Sequence, residues 1–158
     1  MQPTRKRALS RPLEKYLLNP QMRLGLRLGI APPNFALLET TGRRTGLPRR
    51  TPVGNGLRKD TFWLVAEHGR RCDYVRNLLA DPRVRVKVDH AWRAGVATLM
   101  PDDDGLARRR QLDEAQGRGG RIDGAIFRAT ATDPLTIRID LEPSTTGTSH
   151  HDASVHAP

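Results

Sequence analysis

The chain has 158 residues, a length that suits one domain with a hydrophobic core and is short for two. Its net charge of +10 with 37% hydrophobic residues favours anionic partners in general: nucleic acid, an anionic membrane surface or a polyanionic cofactor. No apolar run reaches the length of a spanning helix, the N-terminus lacks the apolar region of a secretory signal, and Cys72 has no second cysteine to pair with. A cytoplasmic location is therefore expected.

The first predicted domain, residues 1–30, is basic and has apolar residues near helical spacing between residues 13 and 30. This pattern predicts two short helices, the second of which ends before Pro32. Two interpretations of its apolar face remain open. The face packs against the rest of the protein, which we favour, or it makes peripheral contact with an anionic membrane, which would make the protein membrane-associated.

From residue 35 the pattern changes to alternating and short apolar runs, which indicate β-strands. The predicted strands are 35–41, 49–57, 61–67, 83–89, 92–100 and 135–143, with a hairpin turn at 56–60. Helices are predicted at 72–82 and 101–115, followed by a glycine-rich gap at 117–124 and a short segment at 125–132. Six strands joined mostly by tight turns predict a mainly β (α+β) fold, a small antiparallel barrel with peripheral helices.

This predicted barrel is the second domain, residues 31–143. The third region, residues 144–158, has almost no apolar content and is predicted to be a disordered tail.

Four arginines lie within the short stretch "GRRTGLPRR", residues 42–50, directly after the first predicted strand. Like charges this close repel one another, so an anionic ligand is the natural explanation for them. Gly42 and Gly46 permit positive φ, and exposed backbone N–H groups in such a turn form an anion-binding nest that guanidinium groups extend. The alternative interpretation is a solvated, arginine-rich hairpin loop without a ligand.

Four blocks of the chain together resemble the deazaflavin-dependent nitroreductase family. They are "LLETTGRRTGLPRRTPVGN" (37–55), "TFWLVAEHGRR" (61–71), "YVRNLLADPRVRVKV" (74–88) and "LTIRIDLEP" (135–143), and the likeness extends over residues 18–143. The resemblance implies a split β-barrel related to the flavin-binding pyridoxamine-phosphate oxidase barrels. It also implies coenzyme F420 as cofactor, an 8-hydroxy-5-deazaflavin with a phosphodiester and polyglutamate tail, in preference to FMN.

The same resemblance assigns residues to this cofactor. The cofactor tail is assigned to Arg43, Arg44, Thr45 and Arg49, and the ring to Thr51, Pro52, Val53 and Gly54. Further contacts are assigned to the end of the next strand and to the following helix: Val65, Ala66, Glu67, His68, Tyr74, Arg76 and Asn77.

The implied activity is that of an oxidoreductase of the nitroreductase or quinone-reductase type, which passes a hydride from reduced F420 to a small electron-poor acceptor. Tyr74 and His68 are the candidate catalytic residues, as donors of the proton that completes the reduction, and solvent is the third candidate. The alternative function is a non-catalytic barrel that sequesters F420 or a flavin.

Other partners are not indicated. Asp102–Asp104 is interpreted as a helix start, and no metal site is predicted. The basic strand "RVRVKV" lacks the interleaved aromatic residues that stack on bases, so nucleic acid is not an expected partner. A small barrel of this type is expected to be a monomer or a homodimer.

Overall fold

The computed structural model describes Gly25, residues 28–30 and residues 34–143. The predictions for the basic N-terminal segment therefore lie almost entirely outside the described residues, and those for the tail from residue 144 lie wholly outside them. Within the described residues, no helix is both long and apolar enough to cross a membrane.

Seven strands and three helices follow one another in the described part of the chain. They are β1 (Phe35–Thr41), β2 (Pro48–Gly54), β3 (Leu57–Arg58), β4 (Thr61–Ala66), a 3-10 turn (Gly69–Arg71), α1 (Asp73–Ala80), β5 (Arg83–Val88), β6 (Ala91–Met100), α2 (Gly105–Ala115), α3 (Gly117–Thr130) and β7 (Leu135–Leu141).

All seven strands form one sheet in the order β2-β1-β5-β6-β7-β4-β3, and every neighbouring pair is antiparallel. The two edge strands, β2 and β3, are joined by only Asn55 and Gly56. Because two residues span so little distance, the sheet must curl until its opposite edges approach each other. This curled sheet is the split β-barrel, and the predicted fold class is confirmed.

Alternation along the strands places the core inside the curl. In β5 the valines Val84, Val86 and Val88 are buried, whereas Arg83 and Arg85 between them are exposed. Leu38 of β1 lies opposite Val86 across the antiparallel pair, so the two side chains point to the same inner face. The basic residues of this strand are therefore the wet face of a half-buried strand.

The outer face of the same strands carries a buried carboxylate. Glu39 accepts hydrogen bonds from Arg50 Nε at 2.9 Å and Arg85 NH1 at 3.2 Å. Both guanidinium groups lie over the ring of Trp92, at 5.2 and 4.9 Å from its centroid. Charge-assisted hydrogen bonds and cation–π contacts thus tie β1, β2, β5 and β6 together on the side away from the core.

Two predictions of local structure were wrong. Leu57–Arg58, predicted as part of a hairpin turn, forms a short seventh strand that pairs with Thr61–Phe62. The stretch predicted as a glycine-rich gap and a short segment forms the single helix α3. Its Gly120 and Gly124 lie against Asp113 of α2, where an added Cβ would collide with that residue. These glycines allow two helices to pack closely and do not mark a loop.

The junction between β2 and β3 predicts a steric requirement at Gly56. A Cβ at this position would overlap the carbonyl oxygen of Trp63, whereas a Cβ on Gly54 would have only Arg109 NH1 nearby, at 3.8 Å. Gly56→Ala should therefore lower the free energy of unfolding by about 1–3 kcal/mol, the usual cost of overpacking. Urea denaturation measures this loss. Gly54→Ala is the matched control and should change stability by less than about 0.5 kcal/mol; equal losses in the two variants would contradict the packing argument.

Candidate active site

A cavity of about 430 Å³ lies between strands β2 and β4 and the three helices. It is lined by many of the residues that the sequence assigned to the ring of a cofactor: Thr51, Pro52, Val53, Gly54, Val65, Glu67, His68 and Tyr74. The fold therefore brings three sequence-distant blocks to one concave site, as expected of a small-molecule pocket. The other predicted site residues do not line this cavity: Arg43, Arg44, Thr45, Arg49, Ala66, Arg76 and Asn77.

The arginine turn, residues 42–47, uses its own backbone N–H groups internally. The amides of Thr45 and Gly46 donate to Gly42 O, and that of Gly42 donates to Leu47 O at 2.8 Å. The Leu47 amide donates to Thr45 Oγ1 at 3.3 Å. The expectation of an open backbone nest was wrong, because these donors are already satisfied. An anion at this turn would therefore depend mainly on side chains.

Arg43 and Asn77 connect the arginine turn to α1. The Arg43 amide and its NH1 donate to Asn77 Oδ1 at 3.2 and 3.1 Å, and NH2 donates to Asp73 Oδ1 at 3.1 Å. Asn77 is buried and donates from Nδ2 to Thr40 Oγ1 at 3.1 Å. Loss of the Asn77 side chain would strand buried donors and acceptors, at a cost of about 1–3 kcal/mol.

Arg44 and Arg49 are the exposed guanidinium groups of this region. Neither makes a hydrogen bond or ion pair with any side chain or backbone group that the structure describes. Arg76 of α1 is also exposed, and its Nε donates to Arg70 O at 3.2 Å. Through Arg43 the turn is docked on the helix whose first residues, Asp73 and Tyr74, line the cavity, so the turn adjoins the cavity wall.

Tyr74 and Cys72 share the cavity wall below the arginine turn. Burial raises the pKa of the Tyr74 phenol well above its ordinary value, and the neighbouring Cys72 thiol and Glu67 carboxylate raise it further. Burial likewise raises the pKa of Cys72. Tyr74 is therefore a neutral phenol throughout the physiological range, able to donate a hydrogen bond into the cavity.

His68 and Glu67 are held by the last residue of α3 and by the segment that follows it. The ring nitrogen His68 Nδ1 lies 3.0 Å from Thr132 Oγ1, and Thr130 Oγ1 donates to Glu67 Oε1. Gly69 has φ of +50° and lies against Asp133, where a Cβ would collide, so glycine is required after His68. Within the described residues, no group of three or more His, Cys, Asp or Glu residues could hold a metal ion.

The sequence analysis missed the helical wall of the cavity. This wall is formed by residues of α2 and α3: Arg109, Leu112, Asp113, Gln116, Ile126, Phe127 and Thr130. Arg109 Nε donates to Asp113 Oδ1 at 2.7 Å. The i,i+4 spacing of this pair is visible in the sequence, but such pairs usually lie on the exposed face of a helix. Asp113 is buried. The sequence signal that could have indicated two closely packed helices was the pair of glycines four residues apart, Gly120 and Gly124.

Comparison with known families gives a match over most of the chain. The family model described as F420H(2)-dependent quinone reductase matches residues 14–142. The chain is 36% identical over 95 residues to the F420H(2)-dependent quinone reductase Rv1261c of Mycobacterium tuberculosis, an alignment that covers 57% of this chain and 62% of that relative. The chain thus spans less than two thirds of the length of this curated relative.

Solved structures share the fold at low identity. A protein of unknown function from Agrobacterium tumefaciens, Atu2129, is 24% identical with a TM-score of 0.51, over 69% of this chain and 48% of that one. A structure described as an F420 reductase is 16% identical with a TM-score of 0.50, over 75% of this chain and 94% of that one. At these identities the likeness supports the split-barrel fold alone.

The environment of Tyr74 predicts an unusual titration. The chain has two tyrosines, Tyr16 and Tyr74, and a raised pKa means that folded Tyr74 holds its proton more tightly than the unfolded chain does. Phenolate absorbance should show one tyrosine that ionises only above the ordinary tyrosine range, and Tyr74→Phe should remove that step. The free energy of unfolding should fall as the pH rises above the ordinary tyrosine pKa, and this slope should be smaller in Tyr74→Phe. Two ordinary titrations in the wild type would contradict this prediction.

Proposed function

The chain belongs to the F420H(2)-dependent quinone reductase family, and from this membership we propose that it binds coenzyme F420 in the cavity. We propose further that it uses the reduced cofactor to reduce a small electron-poor organic acceptor of the quinone or nitro type. The observation that carries the proposal is a mainly apolar cavity beside a turn with two exposed guanidinium groups, Arg44 and Arg49, that have no partner in the described part of the chain.

The residues present fit the two chemically different halves of this cofactor. The ring is flat and largely apolar, and the cavity offers β2 on one side and Leu112, Ile126 and Phe127 on the other. At Gly54 the backbone has no side chain, so a planar group can approach it closely. The tail carries phosphodiester and carboxylate charges, which guanidinium groups bind through paired, charge-assisted hydrogen bonds.

In this proposal the strand residues Thr51, Pro52, Val53 and Gly54 hold the ring, together with Val65, Ala66, Glu67, His68 and Tyr74 around it. Arg44, Thr45 and Arg49 bind the tail, with Arg76 further along α1. Arg43 and Asn77 fix the turn through their mutual hydrogen bonds, and a direct contact of either with the tail stays a prediction.

Reduced F420 supplies a hydride from its C5 position. The protein contributes position and a dry environment, because Trp63, Leu112 and Phe127 surround the cavity with apolar surface and restrict water. In this proposal Tyr74, which lines the cavity and keeps its proton because its pKa is raised, donates a hydrogen bond to a reduced oxygen. His68 lines the same cavity and is the second candidate for this role.

The proposal predicts that Arg44 and Arg49 provide much of the cofactor affinity. Each charge-assisted contact contributes roughly 1.5–3 kcal/mol, so Arg44→Ala and Arg49→Ala should each raise the Kd for F420 by about tenfold or more. Titration with F420, followed by tryptophan fluorescence, measures the change. The double variant Arg58→Ala/Lys59→Ala, at the end of β3, removes as much charge as Arg44→Ala and Arg49→Ala combined and should leave the Kd within about twofold.

Turnover separates the proposed enzyme from a barrel that only sequesters the cofactor. Wild-type protein should oxidise F420H2 when menadione or a nitroaromatic compound is added, as seen from the returning absorbance of oxidised F420. Tight binding without oxidation by any compound of such a panel would contradict the reductase and favour sequestration. The absence of F420 binding at tens of micromolar would remove both functions.

A further inference from the structure

Arg109 of α2 places a fixed positive charge in the helical wall of the cavity. Its Nε donates to Asp113 Oδ1 at 2.7 Å, and its guanidinium lies over the ring of Phe127, 4.8 Å from the centroid. The Arg109 side chain is only 18% exposed and that of Asp113 only 5%. A guanidinium held by a buried carboxylate and an aromatic face has one orientation, so its remaining donors are preorganised.

The hydrogen bond to Asp113 uses only Nε of Arg109, which leaves its two terminal nitrogens, NH1 and NH2. Neither donates to any residue of the described part of the chain, although the side chain lines the cavity. NH1 lies 3.8 Å from the position that a Cβ on Gly54 would take, so the guanidinium reaches across the cavity to β2. A mostly enclosed cation with unused donors is costly unless a ligand or water accepts its hydrogen bonds.

The terminal nitrogens of Arg109 and the Tyr74 hydroxyl belong to residues that line the same cavity. The positive charge of Arg109 lowers the pKa of that phenol against the larger effect of burial. Around them, Leu112, Ile126 and Phe127 are apolar. The wall therefore suits a flat apolar molecule with one oxygen that must be bound by strong donors.

We propose that Arg109 binds the electron-accepting oxygen of the substrate, a quinone carbonyl or a nitro oxygen; this inference rests on the proposed function. A hydride brings two electrons and one proton to the quinone and leaves a hydroquinone monoanion with its charge on oxygen. One proton, taken from water through the Tyr74 hydroxyl or directly, completes the hydroquinone. The guanidinium stabilises the anionic oxygen, the arrangement by which fixed donors accelerate reactions that develop negative charge.

A dead-end complex tests this role without turnover. The probe is the anion of 2-hydroxy-1,4-naphthoquinone, titrated by calorimetry into protein saturated with oxidised F420, which has no hydride to give. Arg109→Met should raise the Kd of the probe by about tenfold or more, the loss expected for a charge-assisted contact. Arg110→Met, one residue along the same helix and outside the cavity, should leave it within about twofold.

Removing Arg109 alone takes from the buried Asp113 carboxylate its partner at 2.7 Å and leaves it Arg128 NH1 at 3.9 Å, so Arg109→Met/Asp113→Asn is measured in parallel as a variant without that buried charge. It should show the same loss of probe affinity with a native circular dichroism spectrum. Equal probe affinities in the Arg109 and Arg110 variants, or no binding of the probe by the wild type, would overturn the inference. So would an equal loss of affinity for F420 itself, because Arg109 would then be a cofactor ligand. The first titration separates this inference from the proposed function. If the wild type does not bind F420, the proposed function itself is wrong.

Discussion

The hydrogen bonds of Asn77 are the interaction on which the geometry of the site depends. This buried amide donates to Thr40 in β1 and accepts from the main chain and side chain of Arg43, so it joins the helix to a strand and a turn more than thirty residues earlier in the sequence. The turn is consequently fixed on the same helix that carries Tyr74 into the cavity. Without this junction the arginine turn would be an ordinary solvated hairpin loop, and it would not be fixed beside the cavity wall.

The four arginines of the turn and of β2, residues 43, 44, 49 and 50, have different roles. This difference explains why four like charges can lie so close together. Arg43 is neutralised by Asp73 and bound to Asn77, and Arg50 is paired with the buried Glu39 and stacked on Trp92. Both contribute to the fold, and their partners offset the repulsion that the pattern suggests. Arg44 and Arg49 have no partner among the described groups, and they alone of the four make no polar contact there that the fold requires. A functional explanation is needed for only two of the four charges.

Strand alternation made most of the barrel predictable, whereas the second wall of the site was not. The bounds of β1 agree with the prediction residue for residue, because "FALLETT" is an apolar run followed directly by turn residues. Helix α3 was read as a gap because its glycines serve close contact with Asp113, and sequence alone does not distinguish such glycines from loop glycines. Arg109 and Asp113 have the spacing of a surface ion pair, and only tertiary packing buries them. Site residues that match a family motif could be identified from the sequence, whereas site residues outside any motif could be identified only from the fold.

The central claim is that guanidinium groups outside the cavity bind the charged tail of a cofactor whose ring lies within it. The most direct test compares F420 with its tail-less deazaflavin precursor, which has the same ring and lacks the phosphodiester and glutamates, at low and high salt. The account predicts much tighter binding of F420 at low salt, with a difference that shrinks as salt is added because the tail contacts are ionic and exposed. Equal affinities for the two compounds, unchanged by salt, would contradict it.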